Sequence, residues 1–481
     1  MESLSPKVIR SGLWSLGGNW IIRGVGIIKL IILARLLSPL DFGILGLATL
    51  SINFLNVFSE TGIESALIQR DKIGRPELDT AWTIGIIRGL VLFSLLFMSS
   101  GWFASYFGNS ALKPILKVMA TVFLVGGFIN VGIVFFPKEL EFKKKVRLDL
   151  VSDIAGAVVT ILLAFWLRNV WAPVIGSIAW GITRCVGSYS MHLYRPKFFW
   201  DWRIAKSLLN FGKHIFWISM VTFFVTSGDD ALVGKLLGLT MLGFYAMAYN
   251  IANIPVSSLS GIIGRISFPA YAKLQKDPVR LSEAIKKVLE VVLILLLPLT
   301  VLIMLLAKDF TLIFLGDNWL PMVPVLKVLA LLGFFRSLSN VFAPIQLAVN
   351  RPEIQSRNKM IELILFLSLI YPFTVKWGLI GAGWAVTLIY IVSAIINALS
   401  TASIVPLFIS ILLKASWIPL LATIGLLISS WITHSSLDAI GGIVQFILSG
   451  FSGLVVFGVI VFISRKNLLR NLLMGYGVAK T

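Results

Sequence analysis

Several cations stand where a membrane-spanning stretch would leave them no water. Arg23 lies near the middle of the apolar run 13–37 and Lys29 two-thirds of the way along it, while Arg88, Arg184 and Arg336 interrupt the runs 79–104, 172–194 and 321–349. A cation at mid-depth costs about 2.5–3.5 kcal/mol even on a lenient insertion scale, so such a side chain faces a bundle interior or a watery cavity. Guanidinium and ammonium groups gathered there suit an anion, which carries matching charge and acceptor oxygens. Asn19, one helical turn before Arg23, extends the polar stripe. Arg23, Lys29, Arg88, Arg336 and Asn19 are therefore the candidate anion-binding residues; for Arg88, Arg184 and Arg336 a partner on a neighbouring helix, such as Asp153, is the alternative.

Four carboxylates form a second set. Asp229 and Asp230 fall in the outer third of the run 213–236, and Glu60 and Glu64 lie near the inner end of 42–65. Each pair suits either structural ion pairing or a gate or ion-coupling site, because a buried carboxylate can change protonation as access changes. Catalytic constellations are missing. The sequence contains no HExxH, CxxC, GxSxG or Walker-type pattern, and its three histidines are far apart. No enzyme activity, metal or cofactor is expected.

The elements that must hold these residues are read from composition. The chain is 57% hydrophobic and 13% charged over 481 residues, with a mean hydropathy of +0.92; a soluble domain is about 25% charged. An all-α polytopic membrane protein follows, with about 14 spans at 13–37, 42–65, 79–104, 113–136, 148–168, 172–194, 213–236, 242–264, 284–307, 321–349, 359–376, 379–403, 414–433 and 441–464. The first is read as a retained span, because no small-residue cleavage site follows it. The connections 195–213 and 265–283 read as short amphipathic pieces, the first with Phe198, Phe199, Trp200 and Trp202 among its basic residues.

The net charge of +20 would suggest nucleic acid in a soluble chain. Its placement excludes that reading: about 29 of the 42 Lys and Arg lie on the side shared by both termini and about five on the other. This asymmetry places both termini in the cytoplasm and makes membrane lipids, not nucleic acid, the expected contact. The lone Cys185 allows no intrachain disulfide.

The chain also repeats. Ala34-Arg35-Leu36-Leu37-Ser38, leading to Gly43, returns 200 residues later as Gly234-Lys235-Leu236-Leu237-Gly238, leading to Gly243. Pro114–Ala120 is echoed by Pro324–Ala330. A shift of six spans preserves orientation, so two parallel six-helix lobes are expected at 1–200 and 201–405, followed by two further helices and a tail at 406–481. By this offset Lys29 and Asp229 are equivalent, and the two are expected to face each other across the pseudo-axis.

Ala34–Pro39 with Asp41-Phe42-Gly43, Glu64–Arg70, Pro137–Phe142 before a basic cluster, and Phe268–Gln275 make the chain resemble Wzx-type polysaccharide flippases of the multidrug/oligosaccharidyl-lipid/polysaccharide exporter superfamily. The resemblance implies two six-helix lobes around a cationic cavity. It also implies flipping of undecaprenyl-diphosphate-linked oligosaccharides from the inner to the outer leaflet of the bacterial cytoplasmic membrane, with polysaccharide polymerase and export machinery as partners. A cation-coupled multidrug exporter of the same superfamily and a membrane glycosyltransferase or ligase are the alternatives.

Overall fold

A computed structural model describes residues 6–59, 62–70, 73–139, 141–275, 277–405, 407–438 and 441–475. Among them the regular structure is entirely helical. The chain packs as two compact units, Met1–Gly243 and Phe244–Thr481.

The first unit contains α1 (Pro6–Leu36), α2 (Pro39–Phe58), α3 (Ile63–Gln69), α4 (Arg75–Tyr106), α5 (Leu112–Gly127), α6 (Phe135–Lys138), α7 (Phe142–Leu167), α8 (Trp171–Met191), α9 (Trp202–Leu236) and the start of α10 (Leu239–Leu274). The repeated Ala34–Ser38 and Gly234–Gly238 segments form the corners between α1 and α2 and between α9 and α10. At the first, Ser38 caps α2 reciprocally with Asp41, Pro39 occupying the opening turn. Asp41 also accepts from the Val170 backbone N–H at 3.2 Å, tying the start of α2 to that of α8. The two repeat glycines meet: a Cβ on Gly43 would collide with the Leu239 carbonyl, and one on Gly243 with the Pro39 carbonyl. This reciprocal contact needs glycine on both sides and gives the internal repeat a physical expression.

In the second unit α10 is followed by α11 (Pro278–Leu305), α12 (Ala307–Phe310), α13 (Val323–Ala348), α14 (Pro352–Ala402), α15 (Phe408–Ser436) and α16 (Gly442–Gly475). Gly378, with φ 58° and ψ −139°, breaks α14 into two arms. Asn358 bonds to Asn397 and Glu362 to Ser393, so partners converge symmetrically on Gly378 and the arms run antiparallel. The expected spans 359–376 and 379–403 are these arms. Its core gathers Tyr271, Leu289, Phe342, Ile345 and Phe408.

Eight described helices are long and apolar enough to cross a membrane, or nine if α5 and its bent continuation form one span. Every expected span overlaps a helix, 42–65 reaching from α2 into α3, and the order accommodates fourteen when the arms of α14 count separately. Three expectations are corrected. The span 113–136 is not continuous: the chain bends by 72° between Leu112–Gly127 and Val131–Lys138. The expected amphipathic piece 195–213 divides into a non-helical strap, 192–201, and the first turns of α9. Likewise 265–283 is the end of α10, a short break and the start of α11.

Candidate functional site

A cavity of about 580 Å³ opens inside the first unit among α2, α3, α4, α8 and the bend after α5. A smaller space of about 250 Å³ adjoins it, sharing Asn56, Gly85, Arg88, Gly126 and Ile129. Glycine lets its walls meet: a Cβ on Gly89 would lie 2.6 Å from the Phe123 carbonyl oxygen, and one on Gly127 2.9 Å from that of Gly85. The bend is held by Asn130, which is fully buried. Its Oδ1 accepts from Gly132 N–H at 2.8 Å, its Nδ2 donates to the Tyr194 carbonyl at 2.8 Å, and its N–H donates to Ser188 at 3.0 Å. With every polar group of that side chain satisfied, the break costs little.

The strap 192–201 braces the same region. Asp79, 6% exposed, accepts from the Tyr194 hydroxyl and from the Lys197 N–H at 2.9 Å. Burial first, and then its bond to Asp79, push the Tyr194 phenol well above its ordinary range, so it remains a donor.

Arg88 and Arg184 project from α4 and α8 into the cavity lining. Arg88 donates to Ser59 Oγ at 2.9 Å and Asn56 Oδ1 at 3.1 Å, both neutral groups of α2 and its C-cap. Arg184 pairs with Asp149 at 2.6 Å and lies 5.3 Å from the Trp180 ring. Trp180 in turn donates to Asp153 at 3.1 Å, and Asp153 is the carboxylate within electrostatic reach of Lys29. A polar chain therefore runs from α1 through α7 and α8 to the cavity. Glu64, exposed on α3, adds one carboxylate to the lining. Two guanidinium groups beside amides and hydroxyls can bind a group bearing both phosphate and alcohol oxygens.

Of the residues expected to act, Arg88 and Glu64 share this cavity. Arg23 is half-buried and Asn19 exposed on α1, outside the lining of this cavity. Lys29, expected to face Asp229, has Asp153 within electrostatic reach, because α1 packs along α7. Asp229 is buried in α9 with Asp230 beside it. Glu60 lies outside the described residues. Arg336 belongs to the second unit, where it donates to the Tyr249 hydroxyl and lies 5.7 Å from the Tyr390 ring. Among the described residues no group of three or more His, Cys, Asp or Glu could hold a metal ion.

The comparisons with known proteins agree with this architecture. A family model described as polysaccharide biosynthesis protein matches residues 32–324. The chain belongs to that family. Among its relatives, the lipopolysaccharide biosynthesis protein WzxC of Escherichia coli (strain K12) is 28% identical over 399 residues, covering 82% of this chain and 80% of its own. The succinoglycan biosynthesis transport protein ExoT of Rhizobium meliloti (strain 1021) is 24% identical over 479 residues, 98% of this chain and 95% of its own. The fold is similar to that of a solved structure of the lipid II flippase MurJ, inward closed conformation, with a TM-score of 0.79 at 17% identity over 95% of this chain and 99% of that one.

In this polysaccharide biosynthesis family member the sequence reading missed two groups. Asn56, Ser59 and Asn130 hold or line the cavity; their only signal was the spacing of Asn56 and Ser59 along one helix face. The second is a buried network in the other unit. Glu362, 2% exposed, accepts from Lys359 at 2.6 Å and Ser393 at 2.5 Å. Asn397 accepts from Gln346 at 3.2 Å and Asn358 at 2.9 Å and donates to the Ser393 carbonyl. Asn358 with Glu362, and Ser393 with Asn397 and Thr401, stand four residues apart, which places each set on one face of its arm.

Proposed function

We propose that the chain is a flippase that moves undecaprenyl-diphosphate-linked oligosaccharide repeat units from the inner to the outer leaflet by alternating access, for exopolysaccharide or O-antigen synthesis. Membership of the polysaccharide biosynthesis family supports the class of cargo. The observation that carries the reading is the cavity lined by Arg88, which donates to Ser59 and Asn56, and by Arg184, which pairs with Asp149. The diphosphate is drawn there by the guanidinium groups, the sugars occupy the hydrated space, and the prenyl tail remains in lipid.

On this reading Arg23, Lys29, Asn19 and Arg336 are further candidate anion-binding groups, and Asp229, Asp230, Glu60 and Glu64 serve as gate or ion-coupling groups. Residues 1–200 and 201–405 act as the two rocking lobes, with 406–481 as an appendage. The chain resides in the bacterial inner membrane with both termini cytoplasmic, as the basic residues favour, and hands cargo to polymerase and export machinery.

The test is a leaflet-accessibility assay in proteoliposomes carrying the purified protein and lipid-linked oligosaccharides. Wild type is expected to expose cargo on the far leaflet many times faster than protein-free vesicles. Failure with several such lipids, together with export of cationic dyes, would overturn the proposal.

A further inference from the structure

A second cavity, about 640 Å³, lies between α1 and α7 and is lined by Trp14, Gly17, Ile21 and Leu150 with Lys143 and Arg147. The two helices run parallel there. Trp14 meets Lys143 at 5.2 Å from ring centroid to Nζ, Gly18 packs on Val146, and farther along Lys29 comes within electrostatic reach of Asp153. Both N-terminal ends therefore face the same membrane surface, and the cavity is a trough with its cations at that end.

The two glycines of α1 divide the work. A Cβ on Gly18 would collide with Val146, so Gly18 brings the helices together. A Cβ on Gly17 would meet nothing within 4 Å, so Gly17 leaves the trough open. Trp14 and Ile21 are exposed at 46% and 54%, apolar surface turned outward. Among the described residues neither Lys143 nor Arg147 pairs with a carboxylate; of the adjoining basic run, Lys144 is the one paired, with Glu141 at 2.7 Å. Apolar walls beneath two unneutralised cations, with an indole at the rim, complement one kind of molecule: an acyl chain attached to a phosphate.

We infer that the α1–α7 trough binds an anionic phospholipid, its phosphate held by Lys143 and Arg147 and one acyl chain laid along Gly17, Ile21 and Leu150. The site is separate from the cavity proposed for cargo and does not depend on what the protein transports. A bound lipid there would wedge the N-terminal half of α1 against α7.

Native mass spectrometry of the detergent-purified protein, titrated with phosphatidylglycerol or phosphatidylcholine, tests this. Wild type should retain phosphatidylglycerol at least fivefold more strongly than phosphatidylcholine. Lys143→Ala with Arg147→Ala should abolish that preference, leaving phosphatidylcholine retention unchanged. Gly17→Leu, which fills open space while keeping both cations, should lower phosphatidylglycerol retention about as much. Three results would each overturn the inference: equal retention by wild type and both variants, an equal loss on removing the exposed cations Lys273 and Arg351 elsewhere, or a loss confined to added prenyl diphosphate. Unfolding midpoints matching wild type distinguish loss of the site from loss of the fold.

Discussion

In the first unit Arg88 and Arg184 line open space, one donating to neutral oxygens and the other to the half-buried Asp149. In the second unit Glu362 is closed over by Lys359 and Ser393, while Asn397 knits α13 to both arms of α14. Both regions hold ionised groups that are at least partly buried, and both must recover the hydration those groups lose. The first does so with an accessible cavity, the second by saturating the charge with protein donors. An accessible cation can exchange its present partners for a ligand's oxygens; a carboxylate saturated in this way holds helices together. The same residue types therefore carry different consequences when removed.

Replacing the charge in the open region should give the larger change in transport. Arg88→Gln keeps a polar side chain near Asn56 and Ser59 but removes the cation. Losing a charge-assisted hydrogen bond to the diphosphate costs about 1.5–3 kcal/mol, so the initial flipping rate should fall about 10- to 100-fold. The thermal midpoint of the purified protein should stay near that of wild type. A large drop in midpoint with an unchanged rate per folded molecule would make Arg88 a structural residue and erase the contrast.

Glu362→Ala probes the closed region. It strands the Lys359 ammonium and the Ser393 hydroxyl and leaves a void among buried polar groups. Because Lys359 is half-exposed, the loss should be below that of a fully buried pair, about 2–3 kcal/mol, read as an earlier unfolding transition in a detergent titration. Asn397→Ala should fall in the same direction. If Glu362→Ala unfolded at the wild-type midpoint, the network would not be the brace described here.

Much of this comparison is written in the sequence, though unevenly. Apolar run lengths locate the helices because the bilayer sets them, and the 200-residue echo locates two corners where Gly43 and Gly243 make the close contacts seen. Lone cations in apolar runs, such as Arg88 and Arg184, are conspicuous because lipid offers them nothing. What the sequence hides is rotation and neighbourhood. The repeat offset puts Lys29 and Asp229 at equal depth, but it does not tell which helix packs alongside, and α1 packs on α7, which brings Asp153 within electrostatic reach of Lys29. The bend after Gly127 is signalled only by two glycines and an asparagine in an otherwise apolar run. The α14 network is less visible still, since its two halves lie more than thirty residues apart and meet only because Gly378 turns the chain back.

The smallest expected effect concerns the frame of the open cavity. Helix α8 ends at Met191, leaving His192 outside the span, where its ring stacks on Phe135 and its Nδ1 accepts from the Tyr194 N–H at 3.1 Å. That bond requires a neutral Nδ1. Burial first, and then the nearby Lys144, hold the imidazole below its ordinary range. The unfolded histidine titrates near about 6.5, so the stabilising contribution is full above that pH and is lost as pH falls toward the lowered folded value. Hydrogen exchange of the amides in 192–199 should therefore quicken a fewfold between pH 7 and pH 5, after correction for the intrinsic rate. His192→Gln keeps an acceptor but cannot titrate, and it should flatten that dependence. The closed network around Glu362 includes no histidine, so its amides should show no matching change over this window. An equal acid response in His192→Gln would place the sensitive group elsewhere, and an equal response around Glu362 would mean that both regions loosen together.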